Sequence, residues 1–148
     1  MIFEDVLRAM VVQMNLVDSR VWLVRAPQKP TVQPMVPYIV FLHVGPIPLH
    51  SIVAPLDVLQ REYQFTVFDT SQSRAIAISD ALRTRLDGLR GDYMFIRFGA
   101  VLYKFQTSSY EPDTELHSVV TSYEILFQYL DTPQVNPLRQ HQPQHQPR

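Results

Sequence analysis

The chain opens with apolar residues at helical spacing. Phe3, Val6, Leu7, Met10, Val11 and Met14 recur at steps of three and four, which predicts an amphipathic helix over residues 2–14. Glu4 and Asp5 stand in its first turn, where the helix dipole favours negative charge. The period then changes. "RVWLVRAP" (Arg20–Pro27) predicts a short strand, and "YIVFLHV" (Tyr38–Val44), apolar almost throughout, predicts a strand covered on both faces. Between them Pro27, Pro30, Pro34 and Pro37 cannot donate to a ladder, so 27–37 reads as an extended loop. "GPIPLHSIVAP" (45–55) begins a second such loop, over 45–57.

"LQREYQFTVF" alternates: Leu59, Tyr63, Phe65 and Val67 face one side, and Gln60, Glu62, Gln64 and Thr66 the other. "DTSQS" supplies N-cap candidates for a helix over 73–88. Ile78, Ala81, Leu82 and Leu86 line its inner face, Arg83, Arg85 and Asp87 its outer one, and Gly88 suits the C-terminal cap. Strands follow at 98–109 and 116–130. In the last, Val119, Thr121, Tyr123, Ile125, Phe127 and Tyr129 share one face, while Ser118, Ser122, Glu124 and Gln128 share the other. The expected architecture is α+β: one mainly antiparallel sheet of about five strands, with both helices on one face. Residues 1–131 form this domain. Residues 132–148, rich in Pro, Gln and His with only Val135 and Leu138 to bury, form an extension that cannot repay its own ordering entropy.

Composition narrows the function. The 148 residues suit one core. The absence of cysteine excludes disulfides, thiolate metal sites and cysteine nucleophiles. No apolar run approaches the ~20 residues of a membrane span, and acidic residues occupy the positions where a secretory leader carries Lys or Arg, so a cytoplasmic site of synthesis is expected. The net charge is −1. Arg139 and Arg148 are the only charged residues beyond Asp131, so residues 1–131 carry −3. That is not the basic footprint of a duplex-DNA binder. Arg outnumbers Lys eleven to two, a bias suited to bidentate pairing across interfaces.

Candidate chemistry is sparse. Glu111, Asp113 and Glu115 cluster beside His117, but "YEPDTE" carries Pro at the second position of a turn with Asp beside it, which predicts a hairpin tip. Three carboxylates solvated alike cannot divide acid and base roles, and a calcium loop would need a Gly and a distal Glu at set spacing. His141 and His145 are four apart, yet Pro143 and Pro147 deny them a helix. His43 reads as a packed core or interface side chain. The four glycines build neither a phosphate loop nor a nucleophile elbow. No catalytic, cofactor-binding or metal-ligating residue is therefore assigned.

The order of these pieces resembles the tail completion, or tail terminator, proteins of long-tailed bacteriophages. "RAPQ" (Arg25–Gln28) followed by "VPYIVF" (Val36–Phe41) resembles the family's Ala-Pro-Gln loop and Pro-Tyr strand. "REYQFTVFDTSQSRAIAISDALRTRLDGLRG" resembles its alternating strand and a helix ending in Leu-Asp-Gly, and "YEPDTELHSVVTSYEILF" its Tyr-Glu-Pro hairpin and long final strand. The resemblance runs from the first helix to Asp131. It implies a structural virion protein that forms a homo-oligomeric ring, commonly of six copies, at the head-proximal end of the tail. Such a ring ends tube polymerisation, meets the tail tube protein and the head connector or neck protein, and lets DNA pass without specific binding. It implies no catalytic residue, cofactor or membrane partner. Other structural neck or head-completion proteins are the alternative, and a small nucleic-acid-binding domain or enzyme a more distant one.

Contacts between subunits or rings are expected from the loops 27–37 and 45–57 and from the hairpin tip. The candidates are Gln28, Lys29, Arg83, Arg85, Glu111, Asp113 and Glu115, with Leu138 and Arg139 in an extension that straps a neighbour. The extension is where the chain departs from the family pattern.

Overall fold

A computed structural model describes residues 2–24, 35–46 and 58–130. The elements run α1 (Phe3–Gln13), β1 (Val21–Leu23), β2 (Tyr38–Pro46), β3 (Val58–Asp69), α2 (Gln72–Leu86), β4 (Gly91–Tyr93), β5 (Ile96–Glu111) and β6 (Leu116–Tyr129). They form one sheet in the order β1-β2-β3-β6-β5-β4. The α+β class stands, with six strands rather than five. The added strand, β4, is three residues long and carries no alternation that a sequence pattern could register. β1 pairs with β2 in parallel, and every other pair is antiparallel. β1 is shorter than the sequence suggests. Val24 takes a left-handed φ of 72°, which bends the chain out of the strand.

Both helices bury into one core. Phe3, Val6, Leu7, Met10 and Val11 of α1 and Ala75, Ile78, Leu82 and Leu86 of α2 join Ile39, Phe41, Tyr63, Phe65, Val67, Val119, Tyr123, Ile125 and Phe127 from the strands. The β3 and β6 residues among these are alternating positions expected to face inward, whereas in α2 Ala75 is buried and Ala81, expected on the inner face, is half-buried. The first helix is closed by Asp5, whose carboxylate accepts the Ile2 N–H at 3.1 Å. Ser71 caps the second by accepting the Arg74 N–H at 3.3 Å. Gly88, at φ 82°, ends α2 and donates its N–H to the Val101 carbonyl at 2.8 Å. The C-terminus of the helix is thereby tied to the outer side of β5.

The opposite face carries a smaller aromatic cluster. Tyr38, Val40 and Leu116 are buried there against Trp22, Val36 and Phe68. β2 is thus covered on both faces over its first half, as its apolar run predicts. Of the two readings of His43, packed core or interface side chain, the core one does not hold. It is exposed, with its ring 5.4 Å from that of Tyr63, because it lies where β2 reaches the end of the core.

Candidate assembly surface

The long hairpin β5–β6 dominates one side of the molecule. Its two strands pair from Ile96↔Tyr129 to Glu111↔Leu116, with irregularities between Phe98 and Ala100 and between Tyr103 and Phe105. The proximal half is held by the core. In the distal half β6 is still flanked by β3, down to Asp69↔His117, with Val119 and Leu116 buried, while on β5 Phe105, Thr107, Ser108, Ser109, Tyr110 and Glu111 are exposed. Short polar contacts stiffen it: Ser109 Oγ and Ser118 Oγ lie 2.9 Å apart, and the Tyr110 ring lies 4.6 Å from His117.

Residues 112–115 form the tip. The Glu115 N–H donates to the Glu111 carbonyl at 2.8 Å, and Glu115 has a left-handed φ of 58°. The turn therefore spans one residue more than a plain type I turn. Glu111, Asp113 and Glu115 are all exposed there, and none has an ion-pair partner among the described residues. Glu111 still acts at a distance: burial first, and this carboxylate second, push the Tyr38 phenol above its ordinary range.

Arg83 and Arg85 lie in the last turn of α2, away from the tip. The Arg83 guanidinium sits 3.6 Å from the centre of the Tyr103 ring, a cation–π contact that fixes it over β5. Arg85 is exposed and has no ion-pair partner among the described residues. The structure therefore does not bring the two arginines and three acids together within one chain. Gln28, Lys29, Leu138 and Arg139 lie outside the described residues, as do most of the loops 27–37 and 45–57 and all of the extension.

Sequence reasoning missed the charged groups that brace this surface. Glu62 on the helix-free face accepts the Ser122 hydroxyl at 2.5 Å and the Lys104 ammonium at 3.0 Å, tying β3, β6 and β5 together. The serine hydrogen bond, and then Lys104, hold its carboxyl below the usual range against the cost of burial. Asp69, fully buried at the end of β3, accepts from Arg74 through both oxygens and from the Thr70 N–H at 2.7 Å. Its carboxyl is likewise held low, chiefly by Arg74. On the other side of the core, Glu4 of α1 accepts from the Tyr63 hydroxyl and, at 3.3 Å, from Arg61. The one signal for Glu62 was a charge on an alternating strand; that Ser122 and Lys104 meet it follows only from the pairing order. Among the described residues no group of three His, Asp or Glu could hold a metal ion, and no helix is long and apolar enough to cross a membrane.

No family model matches the chain and no curated protein matches it. Its fold is similar to that of a chain in the solved structure titled "Virion of native gene transfer agent (GTA) particle". The TM-score is 0.56 at 15% identity, over 84% of this chain and 96% of that one. At that identity the likeness concerns the fold alone.

Proposed function

We propose that this chain is a structural virion protein of the tail-terminator kind, forming a ring at the head-proximal end of a tail tube. In this reading the ring ends tube polymerisation and joins the tail to the neck. The observation that carries it is the fold match over 84% of this chain and 96% of a virion chain, taken beside the sequence resemblance that runs from the first helix to Asp131. The exposed far half of β5, and tip acids without an ion-pair partner among the described residues, suit contact with other chains, and a body of net −3 suits a conduit through which DNA must slide rather than bind. A ring needs two different patches on each subunit. The α2 arginines and the tip carboxylates, set apart in the monomer, supply candidates.

The test is removal of the chain from particles as they assemble, with the products imaged by electron microscopy. Heads without tails, accompanied by tails of irregular length, are expected. Normal joined particles lacking the chain would overturn the reading. A virion chain of this fold suits a neck or head-completion role as well, which is the second reading. Locating the chain in a particle reconstruction separates the two.

A further inference from the structure

The outer edge of β5 changes character along its length. β4 covers only Ile96, Arg97 and Phe98. The end of α2 covers the next stretch: Gly88 N–H reaches the Val101 carbonyl at 2.8 Å, and the Tyr103 N–H reaches Asp87 Oδ1 at 3.1 Å. From Phe105 to Glu111 no described strand, helix or side chain pairs with the outer backbone. Val101 and Tyr103 point their backbone groups outward, and the extra residue at Lys104 shifts the phase. Beyond it Gln106, Ser108 and Tyr110 point outward.

An open edge of this length is normally blunted by lysine, proline or a bulge. Here Lys104, at the irregularity, and Pro112, in the tip, stand at the two ends, and nothing of the kind lies between them. The opposite edge of the sheet differs. β1 has three residues, and its Val21 carbonyl is taken by Arg8 Nε at 2.6 Å and its Val21 N–H by the Ser19 carbonyl at 2.9 Å. The β1 edge therefore offers little to a second chain.

We propose that the Phe105–Glu111 edge pairs with the same edge of a second copy, antiparallel about a two-fold axis near Ser108. This goes beyond the ring reading and does not depend on it: a cyclic ring has no two-fold axis between neighbours, so the contact belongs to the free protein. The sequence is compatible with itself in this register. Thr107 faces Ser109, Gln106 faces Tyr110 and Phe105 faces Glu111, so no like charges oppose. The open window also has the right length. Past Glu111 the acidic tip reaches the partner's positions 101–104, where the end of α2 presents Arg83 and Arg85. That helix end also carries Asp87, bound to the Tyr103 N–H, and its two arginines leave it net positive; each acidic tip meets it, twice per dimer, and both exposed aromatic residues of the window, Phe105 and Tyr110, gain cover.

The full-length protein, studied by light scattering and native mass spectrometry, tests this. A concentration-dependent dimer is expected. Reversing the tip (E111K/D113K/E115K) or the helix end (R83E/R85E) should each weaken the dimer by about tenfold or more. Mixing the two variants should restore association as a heterodimer. Ser108→Pro removes an outward donor without touching the β6 ladder and should give a folded monomer, checked by circular dichroism; if it unfolds, the charge-swap pair decides. A monomer at the highest soluble concentration would overturn the proposal. So would a dimer indifferent to the charge reversals, or a mixture that fails to re-associate.

Discussion

The Phe3 ring of α1 stacks on the Phe127 ring of β6, with centroids 3.8 Å apart and planes 10° from parallel. Residues 124 positions apart in sequence thereby fix where the first helix lies. Phe3 also meets Tyr63 and Phe98 at 5.5 and 5.8 Å, and its N–H donates to the Tyr129 hydroxyl at 3.2 Å. Phe3→Ala empties the centre of this group. A loss of about 3–5 kcal/mol is expected in denaturant unfolding, whereas Phe3→Leu should cost less than half as much.

Tyr123 is fully buried, and its hydroxyl has no hydrogen-bond partner among the described residues. Burial raises the phenol well above its ordinary range. Removing an unsatisfied buried polar group costs nothing and relieves its desolvation. Tyr123→Phe should therefore leave the stability unchanged or raise it by about 1 kcal/mol. A clear drop in the thermal midpoint would show that the hydroxyl is satisfied in solution, as by a buried water.

Asp69 and Glu62 are both held below their unfolded values by hydrogen bonds and cations. Over the window between folded and unfolded pKa the unfolded chain binds more protons, so stability rises with pH there. The contribution is complete above the unfolded values of about 4. It is lost as the pH falls through the lower folded ones. Thermal midpoints measured downward from pH 6 should fall in acid. The fall should be shallower in Asp69→Asn and Glu62→Gln, which start from a lower midpoint at pH 6.

Gly88 ends α2 at a left-handed φ of 82°, with open space where a Cβ would stand. Gly88→Ala meets no clash but must adopt a conformation that side chains disfavour, at about 1 kcal/mol. A larger loss would indicate that the Gly88–Val101 bond, which ties the helix to β5, is broken as well.

Charge reversal at Glu111, Asp113 and Glu115 should leave the monomer's unfolding free energy within about 1 kcal/mol of the parent, since exposed groups away from core features have small effects. On the reading proposed here the same change should lower the yield of joined particles. Unaltered yield would remove the tip from the assembly contacts.

Most of the elements were legible in the linear pattern, because each buries one face. The stripe from Phe3 to Met14, the alternation from Leu59 to Val67 and that from Val119 to Phe127 give helix and strand periods directly. The cap at Ser71 and the stop at Gly88 were legible for the same local reason, as was the turn at Pro112. β4 was not. Three residues hold too little of a period, and its pairing with Ile96–Phe98 is set by the chain that follows it. The parallel direction of β1 was equally hidden, since direction depends on how the connection runs rather than on the strand's own residues.

The candidate surface divides in the same way. The acidic residues of the tip, and their solvation, followed from the turn chemistry of "YEPDTE" alone. That Arg83 is fixed over Tyr103, that Glu62 joins three strands, and that Phe105–Glu111 has no neighbour on its outer side among the described residues were decided only by tertiary structure. A sequence determines which face of a strand is apolar, because that is a property of its own side chains. Which strand lies beside it, and whether anything does, depends on contacts between residues far apart in the chain, and only the folded sheet supplies them.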